Sequence, residues 1–364
     1  MKITVPQTDL VKALQAAVTL TKANAQLPVL SNALLSFQKD KATLKATDLS
    51  SGISLDLTIN GEGEGKILVP VAQFLEYVQT LSSGEVGIVI GKNSLKVSQE
   101  GSSATFPQID ASEFPDFSPE KVKRVIRVKS DIFLDALKKA MVAVAIDDSR
   151  PTLTGILFRM QPEEKRLQVV GTDGYRLSVC SVSFEGDWEK DMVIPAKQLA
   201  SLVRGEGGDV VEMGFDGSNN QAWLQSGDRT MVVRLLQGEF PNFSKIIPQT
   251  STTEVAIDRE VLLQGVQQTS VFARQNANIV KMDVAKEITL STQDGISGSS
   301  RVVLDAKIEG EPLLVAFNYR YLREYLAAMG KGDVLFSFNG SEAPVKLIPS
   351  NEPAFLHIIM PVKL

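Results

Sequence analysis

Two kinds of hydrophobic periodicity alternate along this chain. Residues 7–22 place Leu10 and Leu14 on one apolar stripe at helical spacing, whereas runs such as 42–46 and 167–170 are short, apolar and typical of strands. Helical periodicity recurs in the segments 7–22, 71–83, 130–146, 195–205, 258–270 and 318–331. Short strands and turns fill the intervening sequence. The pattern predicts an α+β chain in which helices pack on antiparallel sheets.

The order of these elements repeats three times. The helix-opening pairs Val69-Pro70, Ile194-Pro195 and Phe317-Asn318 are 125 and 123 residues apart. Because a fixed period of similar elements marks repeated structural units, we expect three domains of like fold. Each domain contains two half-units, each with one helix on one small antiparallel sheet. The predicted domains are residues 1–120, 121–250 and 251–364.

A turn motif follows the same period. Gly171–Val179 reads GTDGYRLSV, and related Asp-containing turns occur at Asp48 and Asp294. Asp and Gly favour a tight turn, and Tyr175 and Leu177 then alternate with polar residues as in a half-buried strand. Taken alone, this motif predicts only a β-hairpin.

Composition narrows the class of protein. The 364 residues are 43% hydrophobic and 22% charged, with a net charge of −5, which is typical of a globular protein. Cys180 is the one cysteine, so the sequence excludes an intramolecular disulfide and a cysteine-rich zinc site. The amino terminus lacks a signal-peptide pattern, and no apolar run has membrane-spanning length. We therefore expect a cytoplasmic protein that does not enter a membrane.

The sequence contains few candidates for catalytic residues. His357 is the one histidine and lies in an apolar strand-like segment, where we expect it to be partly exposed. The acidic pairs Asp147-Asp148 and Glu163-Glu164 are typical of solvated loops, and Gly61–Gly65 is too acidic to bind phosphate. We expect no catalytic residues, no metal and no cofactor.

Four segments together resemble a known family. They are Leu27–Asn32, Thr172–Leu177, Phe240–Phe243 and Met360–Leu364. Their order and spacing, on a threefold repeat of this length, resemble the bacterial replicative sliding clamp, the β subunit of DNA polymerase III. The resemblance covers essentially the whole chain. It implies a head-to-tail homodimeric ring that encloses double-stranded DNA without reading its sequence, with helices lining the hole.

The resemblance also implies an apolar groove for short linear motifs of polymerases, the clamp loader and repair proteins. Methionine, proline and leucine make such a surface adaptable. Lys245 stands where the family commonly has arginine, which would weaken a bidentate contact. The alternative for Met360–Leu364 is an ordinary terminal strand. The residues implied for the groove are Leu153, Thr172, Gly174, Arg176, Leu177, Pro241, Lys245, Ile246, Pro344, Ile358, Met360, Pro361, Val362 and Leu364. Arg176 is expected to meet a ligand carboxylate or carbonyl.

Charge on the predicted helices fits a DNA-facing surface. These segments hold ten basic and seven acidic residues, whereas the whole chain is acidic. A weakly positive lining suits sliding, although a solvated helix face accounts for it nearly as well. Asn24 stands where the family often has arginine, which puts that contact in doubt. The candidate DNA-facing residues are Lys12, Lys22, Lys138, Lys139, Lys197, Arg204, Arg320 and Arg323.

The seam of the implied ring needs apolar residues outside the core. Val271 and Phe272 follow the helical stripe of the third domain and would otherwise form an unexplained apolar patch. We expect them to meet Phe74 and Leu75 of a second subunit.

Two other functions remain possible at this point. One is a monomeric three-domain peptide-binding scaffold without a DNA role, which differs from the clamp in oligomeric state. The other is a hydrolase that uses acidic side chains, which the lack of His and Cys clusters disfavours.

Overall fold

The helices occur where the hydrophobic periodicity predicts them. The computed structural model describes residues 2–21, 27–91, 94–107, 109–117, 125–203, 208–216, 220–293 and 298–363. Within these ranges the helices are α1 (Gln7–Val18), α2 (Val71–Gln79), α3 (Ser130–Met141), α4 (Ala196–Val203), α5 (Arg259–Ala273) and α6 (Tyr319–Ala328). Short 3₁₀ turns occur at Pro28–Ser31, Ala111–Glu113, Pro151–Thr154 and Phe243–Ile246. No helix in the described ranges is both long enough and apolar enough to cross a membrane.

Local chemistry explains where several helices begin and end. Asp258 accepts hydrogen bonds from the amides of Glu260 (2.9 Å) and Val261 (3.0 Å), which satisfies two free donors at the start of α5. Asn318 caps α6 in the same way through the amide of Arg320. Helix α1 ends at Val18, earlier than predicted, and the Thr19 hydroxyl donates to the Ala16 carbonyl (2.7 Å) at this end.

The strands fall into three sets of nine among the described residues. The first set is β1 (Lys2–Pro6), β2 (Asn32–Gln38), β3 (Lys41–Thr47), β4 (Ser51–Thr58), β5 (Asn60–Glu62), β6 (Glu64–Pro70), β7 (Glu85–Ile90), β8 (Ser94–Gln99) and β9 (Ser102–Pro107). The second is β10 (Val125–Lys129), β11 (Gly155–Gln161), β12 (Arg166–Thr172), β13 (Arg176–Ser183), β14 (Glu185–Gly186), β15 (Met192–Pro195), β16 (Val210–Asp216), β17 (Gln221–Ser226) and β18 (Arg229–Arg234). The third is β19 (Thr253–Asp258), β20 (Ile279–Val284), β21 (Ile288–Ser291), β22 (Arg301–Leu304), β23 (Lys307–Gly310), β24 (Leu313–Asn318), β25 (Asp333–Phe338), β26 (Val345–Pro349) and β27 (Phe355–Ile359).

These elements form two compact units. The first comprises Met1–Asp131, Glu185–Trp188 and Gln198–Leu235, and the second comprises Ile132–Phe184, Glu189–Lys197 and Leu236–Leu364. The first unit contains the sheets β5-β1-β7-β8-β9 and β14-β10-β16-β17-β18-β4-β3-β2-β6. The second contains β15-β11-β12-β13-β27-β26-β25-β19-β23 and β22-β21-β20-β24. The predicted boundaries at 120/121 and 250/251 stay a prediction.

The expectation of separate small sheets in each half-unit is wrong in one respect. Strand β18 pairs antiparallel with β4, and β13 pairs antiparallel with β27, so each unit contains one continuous nine-stranded sheet. An open strand edge exposes unpaired N–H and C=O groups, and pairing between neighbouring half-sheets satisfies them.

Helix stripes and inward strand positions make the core of the first unit. Leu10 and Leu14 of α1 are fully buried together with Phe74 and Val78 of α2. The Phe74 ring packs edge-on against Phe106, with centroids 5.3 Å apart. Helices α1 and α2 thus bury their apolar faces in one core.

Candidate functional site

The Thr172–Arg176 turn is built from side chain to backbone hydrogen bonds. The Thr172 hydroxyl donates to the Arg176 carbonyl (2.6 Å) and accepts from the Gly174 amide (3.1 Å). Asp173 Oδ1 accepts from the amides of Tyr175 (2.8 Å) and Arg176 (3.0 Å). Gly174 has a positive φ of 92°, a conformation that glycine adopts without steric cost. The turn therefore holds one defined shape.

Arg176 is held inside the protein at the end of this turn. Its Nε donates to Asp173 Oδ2 (3.0 Å), its Nη1 donates to Glu324 Oε2 of α6 (2.5 Å), and its guanidinium lies 4.4 Å from the centre of the Tyr321 ring. The residue is 8% exposed. Two carboxylates of the same chain already pair with this guanidinium and neutralise its charge, and the expected contact with a ligand carboxylate or carbonyl stays a prediction.

The carboxy-terminal segment is fastened beside the turn. The Met360 amide donates to the Tyr175 carbonyl (2.8 Å), and the Val362 amide donates to the Ala316 carbonyl (2.8 Å). Met360, Pro361 and Val362 are each half-buried. Leu364 lies outside the described residues. The segment from Met360 onward thus leaves the sheet beside Tyr175 with apolar side chains still partly open to solvent.

A buried apolar cluster supports this surface. Leu177 and Ile358 pair across β13 and β27 and belong to one cluster with Phe243. Phe243 opens the 3₁₀ turn that carries Ile246, which is 41% exposed. Of the groove residues implied by the sequence, Leu177 and Ile358 thus form the base and Ile246 lies at the surface.

The remaining implied groove residues differ in exposure. Leu153 and Thr172 are buried, so they contribute support and shape. Pro241 and Lys245 are exposed. Pro344 is half-buried and directly precedes Val345, which pairs with Ile359 of β27. We use the name partner groove, for the site that the sequence predicts, for its exposed and half-buried side chains Tyr175, Ile246, Met360, Pro361 and Val362.

Tyr175 belongs to this groove although the sequence pattern predicts a half-buried strand position for it. It is 61% exposed, because the turn continues through Tyr175 and β13 begins only at Arg176. The exposure of Tyr175 could have been predicted from Asp173, because an aspartate in a turn caps the amides two and three residues ahead and so keeps those residues in the turn.

The candidate DNA-facing residues separate into exposed and buried side chains. Lys12, Lys138, Lys197 and Arg320 are exposed, and Arg323 is half-buried. Lys22 and Arg204 lie outside the described residues.

Lys139 does not fit a DNA-facing role. Its side chain is 8% exposed and forms ion pairs with Asp135 and Glu352. Burial lowers the pKa of Lys139, but its hydrogen bonds to the two carboxylates outweigh burial and leave the pKa raised. Its charge is already neutralised within the chain.

The candidate seam residues also divide. Val271 of α5 is 60% exposed, and Phe272 and Leu75 are half-buried. Phe74 is fully buried in the core of the first unit, so its placement in the subunit interface is wrong. The burial of Phe74 could have been predicted from the helical periodicity of α2, because Val71, Phe74 and Val78 occupy one buried stripe.

His357 is fully buried, which corrects the expectation of partial exposure. It shares a 2.8 Å hydrogen bond with the Ser178 hydroxyl, and its ring stacks on Tyr325 with centroids 4.8 Å apart. Burial, and secondarily the charge of Arg176, lowers its pKa from 6.5 to about 3. Ser178 and His357 are both 0% exposed, so substrate has no access to this pair. Among the described residues no group of three or more His, Cys, Asp or Glu side chains is arranged to hold a metal.

Six helices and three sets of nine strands among the described residues define the class of fold, a clamp built from three similar domains. Family models for the DNA polymerase III β subunit match the chain in sequence order: the N-terminal domain at residues 1–118, the central domain at 127–242 and the C-terminal domain at 244–363. The chain belongs to this family, the bacterial β sliding clamps, which are non-catalytic processivity factors.

Individual relatives support the assignment over the full length. A β sliding clamp of Synechococcus elongatus is 27% identical over 379 residues, covering 100% of both chains. The crystal structure of the DNA polymerase III β subunit from Thermotoga maritima has a TM-score of 0.92 at 22% identity and covers 100% of this chain and 99% of that one. The C. crescentus clamp, with a TM-score of 0.89 at 22% identity over 100% of both chains, carries polyethylene glycol at a candidate β-motif tethering region.

Proposed function

We propose that two copies of this chain close head to tail around duplex DNA and act in the cytoplasm as a mobile tether. Polymerase subunits, the clamp loader and repair proteins would dock by short apolar motifs in the partner groove. The observation that carries this proposal is the groove itself, in which the braced turn and the carboxy-terminal segment present Tyr175, Ile246 and Met360 around a buried apolar base.

The groove has the chemistry of an adaptable docking surface. Its base is fixed by the Leu177–Ile358 strand pair, so little ordering is required below the ligand. Its upper part contains Met360, Pro361 and the exposed ring of Tyr175, which offer apolar area with few polar groups to desolvate. A short linear motif with apolar anchors fits this surface better than a charged ligand, because Arg176 is already neutralised.

The exposed basic residues Lys12, Lys138, Lys197 and Arg320 would face the DNA and act through charge alone. Widely spaced phosphate contacts favour sliding, since each strong contact raises both friction and salt dependence. Exposed Val271, together with half-buried Phe272 and Leu75, would contribute to the subunit seam.

Subunit number and topology test the ring. We expect a sedimentation mass near twice the 39.5 kDa chain mass, and retention on closed circular DNA that is lost when the DNA is cut. A monomer that still binds motif peptides would instead support the peptide-binding scaffold.

Substitution of Met360 with Ala tests the groove. We expect weaker binding of a fluorescent motif peptide from the polymerase of the same organism, at unchanged subunit mass. Val303→Ala is the matched control, because Val303 is 46% exposed but lies on β22 outside the groove. Loss of the dimer in Met360→Ala, or equal loss of peptide binding in both variants, would contradict the placement of the groove.

A further inference from the structure

A pocket of about 380 Å³ opens beside α1 in the first unit. Lys12, Gln15 and Thr19 line it from α1 and the residue after that helix, Ser201 lines it from α4, and Arg229 lines it from the start of β18. The lining contains two cations and, among the described residues, no acidic side chain. Its volume lies within the range of small-ligand sites.

Arg229 is the unusual member of this lining. The residue is only 7% exposed, and its buried Nε has no hydrogen-bond partner. The one hydrogen bond from its guanidinium to a described residue runs from Nη1 to the Ser201 carbonyl at 3.4 Å, which is long for this type of bond. Arginine stays charged when buried, so this guanidinium sits in the protein without a carboxylate from the described chain.

A second buried arginine, Arg176, has the carboxylate partners that Arg229 lacks among the described residues. Arg176 is buried to the same extent, at 8% exposure, and pairs with both Asp173 and Glu324. A buried charge is costly unless it is paired, and no described carboxylate pairs with Arg229, so its guanidinium is suited to an anionic ligand in this pocket.

We propose that this pocket binds a phosphate group. The guanidinium fork of Arg229 matches the geometry of phosphate oxygens, Lys12 adds a second positive charge, and Gln15 supplies an amide donor at the rim. The volume leaves room for an anion larger than a single phosphate. That anion is either a free phosphoanion such as a diphosphate or a segment of DNA backbone. Only the DNA alternative rests on the proposed clamp function.

Titration of the full-length protein with inorganic pyrophosphate at low ionic strength tests the pocket. By calorimetry we expect one site per chain, and affinity at least about tenfold weaker in both Lys12→Gln and Arg229→Lys, because each loses a charge-assisted contact. Lys41→Gln is the control, since Lys41 is an exposed lysine of β3 in the same unit outside the pocket.

Arg229 is buried, so thermal unfolding of each variant without ligand establishes that it is folded. Lys12→Gln keeps the test valid if Arg229→Lys does not fold, because Lys12 is exposed. Absence of pyrophosphate binding in the wild type, or equal binding by Lys12→Gln and Lys41→Gln, overturns the proposal.

Competition then identifies the source of the phosphate. If a short DNA duplex displaces pyrophosphate and Lys12→Gln weakens both ligands, the pocket takes a backbone phosphate. If pyrophosphate binds and DNA does not displace it, the pocket serves a free phosphoanion. Failure of the clamp function itself would appear separately, as absence of topological retention on circular DNA with pyrophosphate binding intact.

Discussion

The turn at Thr47–Ser51 in the first unit and the turn at Thr172–Arg176 in the second unit use the same hydrogen bonds. Thr47 donates to the Ser51 carbonyl (2.7 Å) as Thr172 donates to the Arg176 carbonyl (2.6 Å). In each turn the aspartate caps two amides: Asp48 those of Ser50 (3.0 Å) and Ser51 (2.7 Å), Asp173 those of Tyr175 (2.8 Å) and Arg176 (3.0 Å). The Thr-Asp pair is therefore a repeated structural device.

The two turns differ in what surrounds this device. The first has Leu49 at a positive φ of 71° and ends in Ser51, whereas the second has Gly174 at 92° and ends in the braced Arg176. Only the second turn has the carboxy-terminal segment fastened to it, through Met360. The turn's hydrogen bonds are common to both units, so the features that we propose for partner binding belong to the neighbours of the second turn.

Replacing the capping aspartates should distinguish most strongly between the structural role of both turns and the proposed binding role of the second turn. Asp48→Ala should cost about 1–3 kcal/mol of unfolding free energy through lost amide caps. Asp173→Ala should cost about 3–5 kcal/mol, because it also removes a partner of the buried Arg176. Urea unfolding measures both, and anisotropy of a motif peptide should show a large loss of affinity for Asp173→Ala alone. A similar loss of peptide affinity in Asp48→Ala would show that peptide binding does not depend specifically on the Thr172–Arg176 turn.

Acid should destabilise the second turn's neighbourhood more than the first's. Ser178 on β13 faces His357, whereas the matching position on β4, Ile53, faces Met231. The His357 pKa is depressed to about 3 in the folded protein, so between about pH 6.5 and 3 the unfolded chain binds a proton that the folded chain does not. Stability is then complete above pH 6.5 and falls with decreasing pH, by about 3 kcal/mol at pH 4 from this group.

Urea unfolding across pH 7 to 4 checks this dependence. His357→Gln removes the titrating group, so its unfolding free energy should depend less steeply on pH than that of the wild type, by about one proton. Parallel slopes for the two proteins would mean that the folded and unfolded chains bind this proton equally, so that the His357 pKa is not depressed by folding.

Much of the fold could be predicted because it depends on local pattern. The stripe of Leu10 and Leu14 and the cap at Asp258 each depend on residues a few positions apart, so the helices could be predicted from sequence. The joining of β4 to β18 was not predictable in this way, since the pairing connects distant strands and each edge looks alike in sequence.

The site was less predictable for the same reason. Lys139 reads as an exposed lysine of a basic helix end, and only the fold brings Glu352, 213 residues away, to its ammonium group. Arg176 of β13 is predicted from sequence to be a free cation, yet its second carboxylate comes from Glu324 on helix α6, 148 residues away. Charge neutralisation by a distant segment leaves no signal in a single sequence.

Glu324 offers a milder way to loosen the second turn alone. Glu324→Gln keeps the shape but weakens the pair with Arg176, and we expect a loss of about 1–2 kcal/mol, since the carboxylate is partly exposed. The turn should become less rigid and motif affinity should fall severalfold. Glu287→Gln is the control for the loss of one negative charge, because Glu287 is exposed and directly precedes β21. Unchanged peptide affinity in Glu324→Gln would limit Arg176 to a purely structural role.

Exchanging the residue with positive φ in each turn gives the smallest and sharpest comparison. Gly174→Ala should lower the unfolding free energy by about 1–2 kcal/mol, because φ is 92° and the added Cβ would lie 2.9 Å from Arg150 Nη1. Leu49→Gly should leave it equal or raise it by at most about 1 kcal/mol, because the gain at φ 71° exceeds the added chain entropy only slightly. Thermal unfolding of the two variants measures the opposite signs. A clear destabilisation by Leu49→Gly would show that the half-exposed Leu49 side chain has a packing role in the first turn, and the two turns would then differ in more than their neighbours.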